Sequence, residues 1–210
     1  MTSLRVLEIF DSIQGEGFWS GVPMTFVRLT GCNAPDLGLG CAAWCDTPAS
    51  WDPSAGDEMT AEDIALQAGF PRLCLTGGEP LLQTYGVADL VSEVHRRGVR
   101  VHLETNGTVD SPCDFDWVTV SPKPPGYLIA ASWEGRIDEL KLVVDEDLDA
   151  ARAERLAASH PGAIVCLQPE YGGGPADPRG RANAERAVAL VMGHPDWRLS
   201  LQIHKFLGVR

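Results

Sequence analysis

Three cysteines lie within fourteen residues near the start of the chain, at positions Cys32, Cys41 and Cys45. They follow an apolar run at residues 24–29 that is typical of a strand, and they lie in a segment rich in Gly and Pro. Thiolates that converge in a loop after a strand are either metal ligands or disulfide partners. A zinc site normally takes four ligands, and the sequence has no second Cys/His pair of the required spacing. Three thiolates fit a [4Fe–4S] cluster that leaves one iron open.

A second motif, the sequence TGGEP at residues 76–80, follows another apolar run. Two glycines at this place let the backbone come close to a ligand, and the carbonyl groups can accept hydrogen bonds from an ammonium group. A tight turn would use the same residues. The motif indicates a ligand site only together with the cysteine loop that precedes it.

Polar motifs recur directly after the apolar runs, where strands are predicted to end. The carboxyl ends of parallel strands share one face of an α/β fold, and active sites are built on that face. The sequence therefore predicts the functional site at this rim. The motifs lie at residues 30–32, 76–80, 104–107, 121–123, 168–170 and 204–205.

Strand-like and helix-like segments alternate along the chain, which predicts an α/β fold with a mainly parallel sheet and right-handed crossovers. About six strand–helix units fit into 210 residues, fewer than a full eightfold barrel needs. We expect a partial, incomplete β/α barrel that forms a single domain over residues 1–210. A Gly/Pro-rich segment at residues 171–181 is long enough to act as a lid. Strands are predicted at residues 4–10, 24–29, 72–75, 99–103, 117–120, 140–144, 163–167 and 199–203, and helices at residues 60–67, 87–97, 147–158 and 182–192.

The charge balance narrows the classes of partner. The chain has 17 basic and 29 acidic residues and a net charge of −12, which disfavours nucleic acid binding. No apolar run is long enough to span a membrane, and Glu8 stands where a signal peptide would need its apolar segment. We expect a cytoplasmic protein, in which reducing conditions disfavour disulfides. Cys74 and Cys166 lie in apolar runs and are predicted to be buried thiols.

Twelve short motifs, in the same order and at similar spacing, are similar to those of the radical S-adenosylmethionine (SAM) enzymes and, more narrowly, of the 7-carboxy-7-deazaguanine synthase family. The match runs nearly from end to end of the chain. No single motif is decisive, but their combination is highly specific. They are EIF at 8–10, QGEG at 14–17, FVRL at 26–29, GC at 31–32, WCDT at 44–47, TGGEP at 76–80, ETNG at 104–107, VSPK at 120–123, ELK at 139–141, QP at 168–169, WRLS at 197–200 and QIHK at 202–205.

The resemblance implies three cofactors. Cys32, Cys41 and Cys45 would bind a [4Fe–4S] cluster whose open iron chelates SAM, and the reduced cluster would cleave SAM to methionine and a 5′-deoxyadenosyl radical. Thr47 would bind Mg²⁺, a metal that prefers oxygen ligands. The SAM-binding residues implied by the resemblance are Trp44, Cys45, Asp46, Gly78, Glu104, Ser121, Pro122, Lys123, Gln168, Pro169, Glu170 and Tyr171.

The resemblance also implies the substrate, 6-carboxy-5,6,7,8-tetrahydropterin. A carbon–nitrogen lyase of this family abstracts hydrogen from C6, contracts the ring and releases ammonia to give 7-carboxy-7-deazaguanine, a step in deazapurine (queuosine) biosynthesis. Arg28 can pair with the substrate carboxylate in a bidentate manner. The family further implies a homodimer and an electron donor such as flavodoxin. The implied substrate-binding residues are Ile13, Gln14, Gly15, Glu16, Arg28, Thr76, His204 and Arg210.

The cysteine spacing departs from the pattern of most radical SAM enzymes, which is C-x3-C-x2-C. Here eight residues separate Cys32 from Cys41, and three separate Cys41 from Cys45. The additional residues could place Cys41 in a small extra turn without changing the ligand set. Two other functions remain open: a radical SAM activase that acts on a partner protein, and an iron–sulfur electron-transfer or regulatory protein. The second of these would leave residues 76–80 and 121–123 without a role.

Overall fold

The computed structural model describes residues 2–171 and 177–210. Apolar and β-branched runs form most of its nine strands, and amphipathic segments form five α-helices. The strands are β1 (Ser3–Ile13), β2 (Pro23–Leu29), β3 (Asp57–Thr60), β4 (Arg72–Gly77), β5 (Arg100–Thr105), β6 (Trp117–Val120), β7 (Glu139–Val144), β8 (Ile164–Pro169) and β9 (Arg198–Leu199). The helices are α1 (Ala61–Ala65), α2 (Thr84–Arg96), α3 (Ala150–Ser159), α4 (Pro178–Gly193) and α5 (Ile203–Leu207).

The strands form one sheet in the order β3-β1-β2-β4-β5-β6-β7-β8-β9. Strand β1 is antiparallel to β2 and to β3, and every neighbouring pair from β2 to β9 is parallel. The mainly parallel α/β sheet is therefore confirmed. Strand β3 was not predicted, because its sequence, DEMT, is largely polar and exposed. It is a strand because its backbone pairs with the edge of β1, an interaction that side-chain patterning does not report.

The four predicted helices are present with shifted ends. Thr60 caps α1 by accepting a hydrogen bond from the Asp63 amide at 3.1 Å, and α2 ends just before Gly98, whose φ is +73°. Helix α4 begins at Pro178, so the segment predicted as a possible lid is partly helical, and its residues 172–176 lie outside the described residues. No described helix has both the length and the apolar character needed to cross a membrane.

The prediction of a strand at residues 199–203 is wrong beyond Leu199. Strand β9 has two residues, and the amide of Ser200 makes the last contact with β8 by donating to the Leu167 carbonyl at 2.8 Å. The amide of Ile203 then bonds the Gly15 carbonyl at 2.9 Å and begins α5. The apolar residues of this segment therefore belong to a loop and to α5, although their spacing resembled that of a strand.

The two faces of the parallel sheet differ in chemistry. On one face, residues such as Leu73 and Leu75 of β4 are fully buried in the main core, together with Leu90 and Val94 of α2. On the other face, alternate residues of the same strands are polar or small and line a cavity. Strands buried on both faces are commonly apolar throughout, so the polar residues on the second face indicate a binding site. They are Cys74, Thr76, Glu104 and Lys141.

Candidate active site

A cavity of about 700 Å³ lies at the carboxyl ends of the parallel strands. It collects residues that follow or end β2, β4, β5, β6, β7, β8 and β9, as the rim of polar motifs predicted. Of the predicted site residues, Pro122 is the one that does not line it. The predicted residues that do are Ile13, Gln14, Gly15, Glu16, Arg28, Cys32, Cys41, Trp44, Cys45, Asp46, Thr47, Thr76, Gly78, Glu104, Ser121, Lys123, Gln168, Pro169, Glu170, Tyr171, His204 and Arg210.

The connection between β1 and β2 enters the cavity from the side opposite to the loops that follow the parallel strands. Because β1 is antiparallel to β2, this connection begins away from the rim, and it then crosses the polar face of the sheet. Gln14 Nε2 donates to Glu104 Oε1 of β5 at 3.1 Å, and the Phe18 amide donates to Glu139 Oε2 of β7 at 2.9 Å. The Gly17 amide reaches Ser200 Oγ beyond β9 at 2.8 Å. The connection therefore forms the floor of the cavity.

Hydrogen bonds to the loops that follow β5 and β6 attach the cysteine loop to the rest of the rim. The Gly40 amide donates to the Pro124 carbonyl at 2.7 Å. The side chain of Asn33 donates to Thr108 Oγ1 at 2.9 Å and accepts from Asn106 Nδ2 at 2.9 Å. Residues of the long first gap form a turn, in which the Leu37 amide donates to the Asn33 carbonyl and the Leu39 amide to the Ala34 carbonyl, each at 2.9 Å. Cys41 follows this turn in a short 3-10 helix, Gly40–Ala43. Backbone and side-chain contacts thus fix the loop in which the three cysteines are unusually spaced.

The three thiols of this loop are free and border the same cavity. Burial raises the pKa of Cys32 and of Cys41, and the charge of Lys123 partly offsets this for Cys41. No three His, Cys, Asp or Glu side chains in the described part of the chain are grouped to hold a single metal ion. A [4Fe–4S] cluster instead takes its thiolates on different iron atoms, and three soft thiolate donors suit it. The donor set therefore fits a cluster.

The Gly-Gly turn after β4 packs directly against the start of the cysteine loop. The amide of Glu79 donates to the Gly31 carbonyl at 2.8 Å. A Cβ added at Gly78 would lie 2.3 Å from that carbonyl oxygen and 2.7 Å from Cys32 Cβ. Only glycine allows the turn to approach the first cysteine this closely.

We expect Gly78→Ala to lower both stability and cluster content, because the added methyl group displaces Cys32. Overpacking of this kind costs about 1–3 kcal/mol, and denaturant unfolding with iron analysis after reconstitution measures both effects. Gly162→Ala is the matched control, since no atom lies within 4 Å of its added Cβ. Full iron content and unchanged unfolding of Gly78→Ala would show that the turn does not position Cys32.

A buried lysine holds two carboxylates at the floor of the cavity. Lys141 Nζ, on β7, donates to Glu16 Oε2 at 2.6 Å and to Glu104 Oε2 at 2.7 Å. Gln202 Nε2 donates to the other oxygen of Glu16 at 2.7 Å. Lys141 and Gln202 lie in motifs that carry the family resemblance, but they were not among the predicted site residues. A lysine inside the otherwise apolar run LKLVV at residues 140–144 was the signal that could have identified Lys141.

The cationic wall of the cavity is built around Arg28. Its Nε donates to Glu8 Oε1 at 2.8 Å, and the other oxygen of Glu8 pairs with the guanidinium of Arg210. The Arg210 guanidinium also lies over the ring of Phe10, at 4.7 Å from its centroid. Among the described residues, the two terminal NH2 groups of Arg28 have no hydrogen-bond partner. They are available for a ligand carboxylate.

The segment before and within α5 joins the cysteine loop to the floor of the cavity. Lys205 Nζ pairs with Asp46 Oδ2 at 2.7 Å, and Thr47 Oγ1 donates to Asp46 Oδ1 at 3.0 Å. His204 packs against Gly15, where an added Cβ would lie 1.8 Å from His204 Nδ1. Burial lowers the pKa of His204, so its imidazole is neutral at pH 7. It can donate or accept a hydrogen bond without adding charge.

Glu139 makes the stability of the fold depend on pH. Burial raises the pKa of its carboxyl to about 7, and the charge of Lys141 and the hydrogen bond from the Phe18 amide offset this only in part. A carboxyl whose folded pKa exceeds the unfolded value binds its proton more tightly when folded, so its contribution to stability is lost as pH rises from about 4.5 through 7. Glu79, which is also buried, has its pKa raised to about 7 and adds the same trend.

We expect Glu139→Gln to remove part of this pH dependence. The free energy of unfolding of the wild-type protein should fall by roughly 3 kcal/mol more than that of Glu139→Gln between pH 4.5 and 8. Urea titrations of the protein without cofactors, at several pH values in this window, measure the difference. Parallel pH profiles of the two proteins would contradict it.

The amino-terminal half of the chain matches a family model of an iron–sulfur domain. Residues 13–115 match the family model described as a 4Fe-4S single cluster domain. Together with the parallel sheet and the three free thiols at its rim, this match defines the protein as an α/β iron–sulfur protein.

Three curated relatives match nearly the whole chain, and each is named 7-carboxy-7-deazaguanine synthase. The relative from Synechocystis is 36% identical and covers 99% of this chain and 94% of its own length. Those from Caulobacter vibrioides and Bacteroides thetaiotaomicron are 38% and 39% identical, and each covers at least 97% of both chains. The crystal structure of QueE from Escherichia coli superposes with a TM-score of 0.76 at 26% identity, over 95% of this chain and 93% of that one. The chain belongs to the 7-carboxy-7-deazaguanine synthase family.

Proposed function

We propose that the chain converts 6-carboxy-5,6,7,8-tetrahydropterin to 7-carboxy-7-deazaguanine by hydrogen abstraction at C6, ring contraction and loss of ammonia. The observation that carries this proposal is that one cavity is lined both by the three cysteines and by Arg28, Glu16 and Gln14. Such a cavity can receive a cluster-bound cosubstrate and an anionic, hydrogen-bonding ring side by side. The relatives that bear the synthase name match nearly the whole chain.

Cys32, Cys41 and Cys45 are the proposed ligands of the [4Fe–4S] cluster. When bound, the reduced cluster and SAM supply a 5′-deoxyadenosyl radical able to abstract hydrogen from carbon. We assign the surrounding rim to SAM, with Lys123 and Ser121 joined by a 2.7 Å hydrogen bond and with the Gly-Gly turn adjacent to Cys32. The remaining proposed SAM-binding residues are Trp44, Asp46, Glu104, Gln168, Pro169, Glu170 and Tyr171, and Pro122, which does not line the cavity, is left out.

The floor and the cationic wall are assigned to the pterin. Arg28 pairs with the substrate carboxylate through its free NH2 groups, and Glu16 and Gln14 hold the polar ring. His204 adds a neutral hydrogen-bonding partner. Ile13, Gly15, Thr76 and Arg210 complete the proposed substrate site.

Thr47 is the proposed protein ligand of Mg²⁺. Its hydroxyl donates to Asp46, which leaves its oxygen lone pairs for a cation. Because Mg²⁺ keeps several waters or substrate oxygens, a single protein hydroxyl is a sufficient ligand.

The proposal also covers the domain organisation, the oligomeric state, the electron donor and the cellular location. We infer that residues 1–210 form one radical SAM domain whose sheet is an incomplete β/α barrel of about six units. We also infer a homodimer that receives electrons from a donor such as flavodoxin. A cytoplasmic location is consistent with six free cysteines.

An anaerobic assay tests the proposed function. Reconstituted and reduced protein with SAM, Mg²⁺ and the carboxypterin should yield 7-carboxy-7-deazaguanine and ammonia, and the reaction should require SAM. The two products contain all the atoms of the substrate, so the abstracted hydrogen is returned and SAM is not consumed in proportion to product. SAM cleavage without the deazaguanine would favour the activase alternative. Neither product nor SAM cleavage in the presence of substrate would leave the electron-transfer alternative.

A further inference from the structure

Lys141 connects two carboxylates that come from different elements and face different ligands. Its side chain is 7% exposed, and its nitrogen binds Glu16 of the β1–β2 connection and Glu104 of β5. In the proposed function, Glu16 contacts the pterin and Glu104 contacts SAM. Because both oxygens bind one nitrogen, the two carboxylates are close neighbours.

Amide side chains hold the outer oxygens of both carboxylates. Gln202 donates to Glu16 Oε1 at 2.7 Å and Gln14 donates to Glu104 Oε1 at 3.1 Å. Each carboxylate thus has one oxygen fixed by the lysine and one by a glutamine. Lys141 and the four other residues of this network line the ligand cavity, so the network lies at the binding surface and not in the packed core.

The ionisation of the carboxylates in this network depends on Lys141. Burial would raise the pKa of Glu16, but the charge and hydrogen bond of Lys141 lower it to about 2. Burial would also lower the pKa of Lys141, but Glu104, Glu16 and Glu139 raise it well above its usual value. Nearby His102 is neutral, since burial lowers its pKa to about 3.

Asp46 and Glu139 are further acidic groups that act on Glu16, His204 is neutral, and a second cation, Lys123, lies across the cavity. Its amine bonds Ser121, and the described residues give it no direct contact with Glu16 or Glu104. Lys141 is therefore the cation in direct contact with both carboxylates. When two buried carboxylates have no cation between them, their repulsion and burial strongly raise the pKa of one of them.

We propose that Lys141 is a positioning residue that keeps Glu16 and Glu104 ionised and oriented, so that the pterin and SAM meet in one geometry. The proposal rests on the proposed function. A buried ion pair is by itself weak evidence for a role in stability. The position of this pair, between the two proposed ligand sites, points to ligand binding.

Removal of the lysine charge tests the proposal through binding. We expect Lys141→Met to bind pterin-6-carboxylate, a fluorescent pterin with no hydrogen at C6 to abstract, at least about 10-fold more weakly at pH 7, because a carboxyl pKa one unit above the working pH leaves about a tenth of it ionised. The affinity should recover as pH rises to 9, whereas the wild-type affinity should stay level. Lys141→Arg, which keeps the charge, should retain the level profile.

Infrared difference spectra give a second measure that does not depend on turnover. Relative to the wild-type protein, Lys141→Met should show an additional carbonyl band of a protonated carboxyl at pH 7, and changing both Glu16 and Glu104 to Gln should remove it. If Lys141→Met does not fold, the comparison of Glu104→Gln with Lys141→Met/Glu104→Gln isolates the effect of the lysine on Glu16 alone. In that background, removal of the lysine should again weaken binding at pH 7 and restore it at higher pH.

A pH-independent affinity equal to that of the wild-type protein, with no new carbonyl band, would overturn the role of Lys141. Failure of the folded wild-type protein to bind pterin-6-carboxylate would instead contradict the proposed function. The infrared comparison would then still decide whether Lys141 keeps the two carboxylates ionised.

Discussion

Cys41→Ala should lose the brown absorbance of the cluster and, with it, SAM cleavage. Cys41 lies in the 3-10 helix between the two other cysteines and borders the cavity. Loss of a residue that merely supports a metal ligand costs 10–100-fold in metal affinity or activity, so loss of a ligand should cost more than about 100-fold. Visible absorbance and iron analysis after anaerobic reconstitution measure the effect.

Cys113→Ala is the matched control for this prediction. Cys113 is also a buried free thiol, but it packs in the main core and does not line the cavity. It should keep its iron and lose only stability. If Cys41→Ala retains the wild-type spectrum, the ligand set is misassigned.

Arg28→Met should weaken binding of the carboxypterin by roughly 30- to 150-fold, which corresponds to about 2–3 kcal/mol for a charge-assisted hydrogen-bonded pair. The guanidinium is held at Nε by Glu8, so its NH2 groups face a ligand in a fixed orientation. The loss should appear mainly in KM, because the carboxylate contact exists before the reaction. Steady-state kinetics and direct binding measure it.

Two comparisons make the Arg28 prediction specific. Arg5→Met removes an arginine that pairs with exposed Glu58 at the sheet edge, and it should leave KM unchanged. A tetrahydropterin that lacks the carboxylate should bind wild-type protein and Arg28→Met equally. A full loss of affinity for that analogue in Arg28→Met would show that Arg28 supports the site without contacting the carboxylate.

Side-chain patterning was sufficient to predict the parallel strands and was insufficient at the sheet edges. Strands such as β4 and β7 are apolar runs, and burial on the helix-covered face explains them. Strands β3 and β9 depend on backbone pairing with β1 and β8, which leaves little trace in the sequence. Strand β9 ends early because the Ile203 amide donates to the Gly15 carbonyl, and this backbone contact also leaves little trace in the sequence.

The site was predictable where it follows strand ends, as at Cys32, Thr76 and Ser121. Gln14 and Glu16 do not obey that rule, because their loop follows an antiparallel strand and crosses the sheet. The resemblance to a family placed them in the site, and periodicity did not. Lys141 was missed because its role depends on two partners far away in sequence that only the folded chain brings together.

The transfer of hydrogen from C6 of the pterin tests the central claim, that one cavity holds SAM and substrate in reacting contact. Reduced protein is supplied with SAM and with carboxypterin deuterated at C6, and 5′-deoxyadenosine and SAM are analysed by mass spectrometry. We predict that the deuterium appears at the 5′ position of 5′-deoxyadenosine or of SAM as 7-carboxy-7-deazaguanine forms. Product that forms while the deuterium is found only in the solvent would contradict the account.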